Sequence, residues 1–93
     1  MQVILTKEKK FNIHNLTDLN KVIQESYKYA KKNWEVTVPI CNQEDPDAYF
    51  RLSYNNWDMF VYVSIDEWVW TLQKMTEWQL SEILSTNVLQ YDN

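Results

Sequence analysis

The sequence predicts an α+β fold with an antiparallel sheet of three to five strands, one helix after the first strand and a C-terminal helix, in the order β-α-β-β-β-(β)-α. Apolar residues recur at helical spacing in two segments and alternate with polar residues in several others. With 93 residues, including five Trp, six Tyr and three Phe, the chain can fill one hydrophobic core. We therefore expect residues 1–93 to form a single domain.

The first third of the chain predicts a strand followed by a helix. Residues 3–6 have the composition of a strand, and residues 11–13 return along it or lead into the next element. Asn15 is a predicted N-cap, with Asp18 three residues on, and the helix is expected to end near Asn33. Its apolar stripe consists of Leu16, Leu19, Val22, Ile23, Tyr27 and Ala30.

The middle of the chain predicts three strands, each with one buried face. Pro39 lacks a backbone N–H, so the first of these strands is expected at an edge of the sheet. Asn55 and Asn56 are expected to form the hairpin turn between the second and third strands. The inward sets are Trp34, Val36, Val38 and Ile40, then Ala48, Phe50, Leu52 and Tyr54, then Trp57, Met59, Val61, Val63 and Ile65.

Residues 66–74 admit two interpretations. Ser64 with Glu67 could open a helix as a capping box, whereas residues 68–71 favour a strand, which is the interpretation we prefer. Thr76 with Gln79 predicts a second capping box. The helix that follows is expected to end near residue 93 and to bury Leu80, Ile83, Leu84 and Val88.

The chain contains no glycine. This excludes the glycine-rich loops that hold phosphates, so we expect no nucleotide cofactor. Turns with left-handed backbone must then use Asn or Asp, and Asn33, Asn42 and Asn55–Asn56 are the candidates.

The residues that could support catalysis or metal binding are few. His14 is the sole histidine and Cys41 the sole cysteine, so neither a His-based zinc site nor a Cys–His pair is evident from the sequence. The acids around Pro46 lie in a predicted solvated loop that lacks EF-hand spacing. We predict that the protein is not an enzyme and holds no metal.

The hydropathy of the chain and its cysteine count predict the cellular compartment. No apolar run reaches the length of a membrane span, and the N-terminal apolar stretch is too short for a signal peptide. A lone cysteine fits a reducing compartment. We therefore expect a cytoplasmic protein without membrane contact.

Charge is distributed unevenly along the chain. Residues 1–34 contain seven lysines against three acids, a net charge of +4, whereas residues 35–93 carry −8, which leaves −4 overall. If the third strand turns Met59 inward, then Phe60, Tyr62, Tyr49 and Arg51 lie on the opposite face of the sheet, under the remaining helix or against a partner. Exposed aromatics among acids are typical of a hot spot for a basic protein.

Two alternatives remain open at this stage. A basic stretch including Lys7, Lys9, Lys10, Lys31 and Lys32 could bind nucleic acid, but the net negative charge disfavours this. A homodimer that joins the basic and acidic parts would act as a structural or regulatory adaptor.

The size, acidity, aromatic content and order of elements resemble two groups of small inhibitors. These are the immunity proteins of bacterial toxin systems and the phage proteins that disable host defence, such as anti-CRISPR and anti-restriction proteins. The stretch from Asn12 to Leu19 (NIHNLTDL) resembles the strand-to-helix entry of some immunity proteins. The likeness covers the first two thirds of the chain, and the absence of glycine departs from the meander of many immunity proteins.

The resemblance and the charge pattern together lead to one functional expectation. The chain is expected to be a non-catalytic inhibitor that docks on a basic nuclease, toxin or defence effector and blocks its nucleic-acid or active site. The predicted partner-binding residues are the acids Glu44, Asp45, Asp47, Asp58, Asp66 and Glu67 and the aromatics Tyr49, Trp57, Trp70 and Trp78.

Overall fold

A computed structural model describes residues 2–5, 10–40, 47–65 and 68–87 of the chain. It confirms the α+β prediction. The elements, in chain order, are β1 (Gln2–Ile4), β2 (Lys10–Asn12), α1 (Leu16–Asn33), β3 (Glu35–Pro39), β4 (Tyr49–Asn55), β5 (Asp58–Ile65), β6 (Trp68–Lys74) and α2 (Glu77–Asn87).

Strands β3, β4, β5 and β6 form one antiparallel sheet in chain order, and β1 pairs with β2 in a separate hairpin. Pro39 therefore lies on an edge strand, as its missing N–H predicts. The preferred interpretation of residues 66–74 is confirmed from Trp68 onward, since β6 pairs with β5. Residues 11 and 12 return along the first strand.

Helix α1 begins at Leu16, directly after its predicted N-cap. The Asn15 side chain accepts a hydrogen bond from the Asp18 backbone N–H at 2.9 Å, and Asp18 Oδ2 accepts one from the His14 N–H at 3.0 Å. The predicted stripe is buried from Leu19 to Ala30. Leu16, the first helical residue, is 48% exposed, so its assignment to the stripe was wrong.

Helix α1 packs on β3 and β4, and α2 packs against α1. Both helices contribute to one hydrophobic cluster with the buried side chains of β3, β4 and β5. Side chains alternate between the two faces of a strand, so Tyr49, Arg51, Phe60 and Tyr62 lie on the other face. No helix within the described ranges covers that face.

Several predictions fall outside the described residues. They concern Cys41 and Asn42, the acidic residues up to position 46, and the end of the C-terminal helix, including Val88. Within the described residues, neither helix has the length and apolar character needed to cross a membrane.

Tyr27 joins α1 to the segment that leads into α2. Its hydroxyl donates a hydrogen bond to the Met75 carbonyl oxygen at 3.2 Å, and the side chain is buried. Burial, with a smaller contribution from the nearby Glu77 carboxylate, raises the pKa of Tyr27 well above its ordinary value of 10.0. The phenol is therefore neutral in the folded protein well above the pH at which it ionises in the unfolded chain.

We expect Tyr27→Phe to lower the free energy of unfolding by about 1 kcal/mol at neutral pH, because it removes this hydrogen bond. Above a pH of about 10, the unfolded wild-type chain ionises Tyr27 while the folded chain does not, so wild-type stability falls. The variant lacks this loss. Urea unfolding at about pH 8 and about pH 10.5 should show the difference between the two proteins shrinking as pH rises. A constant difference would contradict the raised pKa.

Candidate functional site

Three tryptophan side chains are exposed among those that the structure describes. The exposed fraction is 72% for Trp34, 89% for Trp57 and 70% for Trp78. Trp34 follows the end of α1, Trp57 lies in the turn between β4 and β5, and Trp78 lies in the first turn of α2. These three side chains, with Tyr54 and Lys31 between them, form a continuous surface that we call the tryptophan cluster.

Trp34 ends helix α1 in the left-handed conformation, with φ of 75°. Its N–H donates to the Ala30 carbonyl oxygen at 2.6 Å, and its own carbonyl accepts from the Tyr54 N–H at 2.8 Å. Glycine commonly fills this position at a helix end because it has no Cβ to clash. The second bond attaches Trp34 to β4 next to the β4–β5 turn.

The turn between β4 and β5 also has left-handed backbone. Asn55 pairs with Asp58, so the turn consists of Asn56 and Trp57, which have φ of 52° and 68°. A two-residue hairpin with positive φ at both positions strongly favours Asn followed by Gly. Asn56 fits the first position, and Trp57 occupies the one that glycine favours.

This geometry corrects three sequence predictions. The turn lies one residue later than the Asn55–Asn56 assignment, so Trp57 is in the turn rather than on the inward face of β5. Trp34, assigned to the inward face of β3, is instead the exposed helix cap. The helix ends through Trp34 and not through a left-handed Asn33.

Trp78 is positioned by hydrogen bonds around the start of α2. The predicted capping box is present: Gln79 Oε1 accepts from the Thr76 N–H at 2.9 Å, and Thr76 Oγ1 accepts from the Gln79 N–H at 3.2 Å. The Met75 N–H donates to the Met59 carbonyl oxygen at 3.2 Å. These bonds hold the first turn of α2 beside the start of β5, which brings Trp78 toward Trp57.

The tryptophan cluster continues as a groove along α1. Three adjoining depressions, with volumes of about 320, 430 and 250 Å³, lie between α1 and the elements beside it. The first two share Lys31, Tyr54 and Trp57, and the last two share Glu77 and Trp78. From Trp34 to Asn20 the groove follows α1 for about 21 Å, at 1.5 Å per residue.

Two charged side chains line this groove, Lys31 and Glu77. Lys31 has no ion-pair partner among the residues that the structure describes. Asp58, one of the predicted partner-binding acids, lies next to the turn, but Lys74 Nζ is 3.0 Å from its Oδ1. The charge at this end of the molecule is therefore mixed and not predominantly acidic.

The predicted partner-binding residues that the structure describes do not all lie in one place. Trp57 and Trp78 both belong to the tryptophan cluster. Asp47 and Tyr49 lie at the other end of β4, about 20 Å away along the strand. Trp70 lies in β6, but the structure does not describe its side chain. The predicted acids that lie outside the described residues are Glu44, Asp45, Asp66 and Glu67.

Tyr49 belongs to a separate aromatic group on the face of the sheet opposite α1. Its ring centroid is 5.9 Å from that of Tyr62, and Arg51 Cζ lies 5.3 Å from the Tyr62 centroid, within cation–π range. These side chains contact one another. Tyr49 is thus on a different surface from the tryptophan cluster.

The described residues contain no group of three His, Cys, Asp or Glu side chains that could hold a metal ion. His14 is exposed, and its backbone N–H takes part in the cap of α1.

Backbone strain at Trp57 leads to a stability prediction. We expect Trp57→Gly to raise the free energy of unfolding by about 0.5–1 kcal/mol, because relief of the left-handed strain exceeds the entropy that glycine adds to the unfolded chain. We expect Trp34→Gly to raise the free energy of unfolding by a similar amount. Trp57→Ala, which keeps a Cβ, should give no such gain. Urea unfolding measures all three, and a Trp57→Gly protein no more stable than Trp57→Ala would contradict the strain.

Sequence reasoning missed Trp34 and Tyr54 as members of the site, and it considered Lys31 only as part of a basic stretch that could bind nucleic acid. The absence of glycine signalled that other residues must occupy left-handed positions, but it did not say which ones. Convergence of a helix end, a hairpin turn and a second helix is a property of the tertiary fold. Comparison with protein families, characterised proteins and solved structures gave no match to this chain.

Proposed function

We propose that this chain is a non-catalytic inhibitor that binds another protein through the tryptophan cluster. One observation carries the proposal: Trp34 and Trp57 are solvent-exposed and occupy backbone positions that favour glycine. Each costs the isolated chain about 1 kcal/mol of strain, and little burial offsets that cost. Strained, exposed aromatics of this kind are typical of binding sites.

The magnitudes support a docking role. Covering the exposed parts of three indoles removes about 450 Å² of largely apolar surface from water, which corresponds to about 11 kcal/mol at ~25 cal/mol per Å². That gain is comparable with the ~4–15 kcal/mol lost in association, and several times the combined strain of the two tryptophans. Covering the cluster can thus offset the cost of association, so that further contacts of the interface add directly to the net affinity.

The charge of the whole chain supports the partner class. A net charge of −4 attracts a basic protein, and at low salt, where the screening length is roughly 30 Å, acids distant from the tryptophan cluster also contribute. In this proposal the acidic residues, including Asp47, accelerate encounter, and the tryptophans supply most of the affinity. The target is a basic nuclease, toxin or defence effector in the cytoplasm of a bacterium or phage-infected host, as the resemblance to immunity and anti-defence proteins implies.

The triple variant W34A/W57A/W78A tests the binding surface. Wild-type protein, the triple variant and a control that carries Y49A and Y62A on the sheet face opposite α1 are immobilised and exposed to bacterial lysate containing toxin and defence proteins. We expect the wild type and control to retain the same protein and the triple variant to lose at least nine tenths of it, as expected when hot-spot residues are removed. Equal capture by the triple variant would refute the proposal.

The steering role of the acids is tested by association kinetics. Replacing Glu44, Asp45 and Asp47 together by lysine should slow association with the captured partner by roughly tenfold at low salt and flatten its salt dependence, while the dissociation rate changes little. Surface plasmon resonance at two ionic strengths measures both rates. An unchanged association rate would remove the acids from the mechanism and leave the tryptophan cluster unaffected.

A further inference from the structure

We propose that the groove beside α1 binds an extended segment of the partner that places one carboxylate against Lys31, with apolar side chains on both sides of it. The inference rests on the proposed function and specifies the chemistry of the partner. It follows from three properties of the groove: a lysine without an ion-pair partner in the part of the chain that the structure describes, the aromatic walls around it and the position of Glu77.

Lys31 determines the charge that a partner must bring. Its side chain lines both depressions of the tryptophan cluster, and it has no ion-pair partner among the described residues. A partner that covers the indoles also withdraws this ammonium group from water. An uncompensated charge is expensive to bury, so a partner that binds well supplies an anion or several oxygen acceptors at that point.

Aromatic rings on both sides of Lys31 determine what surrounds the carboxylate. Trp34 lies in the depression on one side, Trp78 in the depression on the other, and Tyr54 and Trp57 line both. Such walls favour aliphatic or aromatic partner side chains next to the acidic one. The groove is about 21 Å long and fits roughly six residues of extended chain at ~3.3 Å per residue.

Glu77 makes the two ends of the groove different in charge. It lines the two depressions on the α2 side and is absent from the lining of the depression beside Trp34. A second carboxylate near Glu77 would be repelled, so the acidic residue of the partner lies toward Trp34. An unstructured nucleic-acid strand carries a phosphate at every nucleotide, so its phosphates would lie near the Glu77 carboxylate as well as near Lys31. The repulsion from Glu77 favours a peptide as the occupant.

The test is selection from a random peptide display library on four immobilised proteins: wild type, K31E, K32E and W34A/W57A/W78A. Lys32 is an exposed neighbour that lines none of the three depressions and serves as the matched control. We expect wild type and K32E to select apolar peptides with Asp or Glu at a fixed position, and K31E to select Lys or Arg there. Fluorescence titration should show a wild-type-selected peptide binding K31E roughly ten- to a hundredfold more weakly.

The possible contrary outcomes separate this inference from the proposed function. Selected peptides that require the tryptophans but bind wild type and K31E equally would refute the role of Lys31 and leave the proposed function standing. No enrichment, or equal binding to the triple tryptophan variant, would refute the peptide groove. An oligo-dT strand that displaces the peptide more strongly than an acidic peptide does, or dimerisation that the triple variant abolishes in sedimentation velocity, would assign the groove to nucleic acid or to a second copy.

Discussion

Left-handed backbone is required at two points of this fold, and the chain has no glycine to provide it. The helix that precedes β3 must reverse direction in one residue, and β4 must return as β5 through a two-residue turn. Trp34, Asn56 and Trp57 adopt the necessary positive φ angles. The arrangement of the tryptophan cluster follows from these two reversals, because each places an indole at the surface at the same end of the sheet.

Two hydrogen bonds hold the elements at this end of the molecule together. The bond from the Tyr54 N–H to the Trp34 carbonyl joins the helix cap to β4, and the bond from the Tyr27 hydroxyl to Met75 joins α1 to the start of α2. A surface built on two helix termini and a short hairpin is preorganised, so little ordering entropy is lost when a partner binds. The fold thereby fixes the backbone positions from which the three exposed rings project.

In the proposed function, charge and aromatic surface act at two separate stages of binding. At low ionic strength the long-range attraction depends mainly on net charge, whereas affinity depends on desolvated contacts at short range. The charge centred on Lys31 would add selectivity, because a partner without a matching acid would leave the ammonium buried and unpaired. A small chain can in this way attract basic proteins broadly and retain few of them.

Much of the fold could be predicted from local sequence patterns. The cap at Asn15, the capping box at Thr76 and the alternation of Phe50 with Leu52 are encoded within a few residues, and each was confirmed. Trp57 was misassigned because moving a turn by one residue transfers a side chain from the core to the surface.

The candidate site was less predictable than the fold. Its members come from three elements far apart in the chain. Trp57 and Trp78 were recognised by their chemistry, but their neighbours Lys31 and Tyr54 carry no local signal of being near them.

The most direct test of the central claim measures stability and partner affinity on the same double variant, W34G/W57G. If the tryptophans are held in strained backbone for the sake of binding, the variant should unfold at a higher urea concentration than the wild type and bind the captured partner at least a hundredfold more weakly. A variant that is more stable and binds with unchanged affinity would contradict the account.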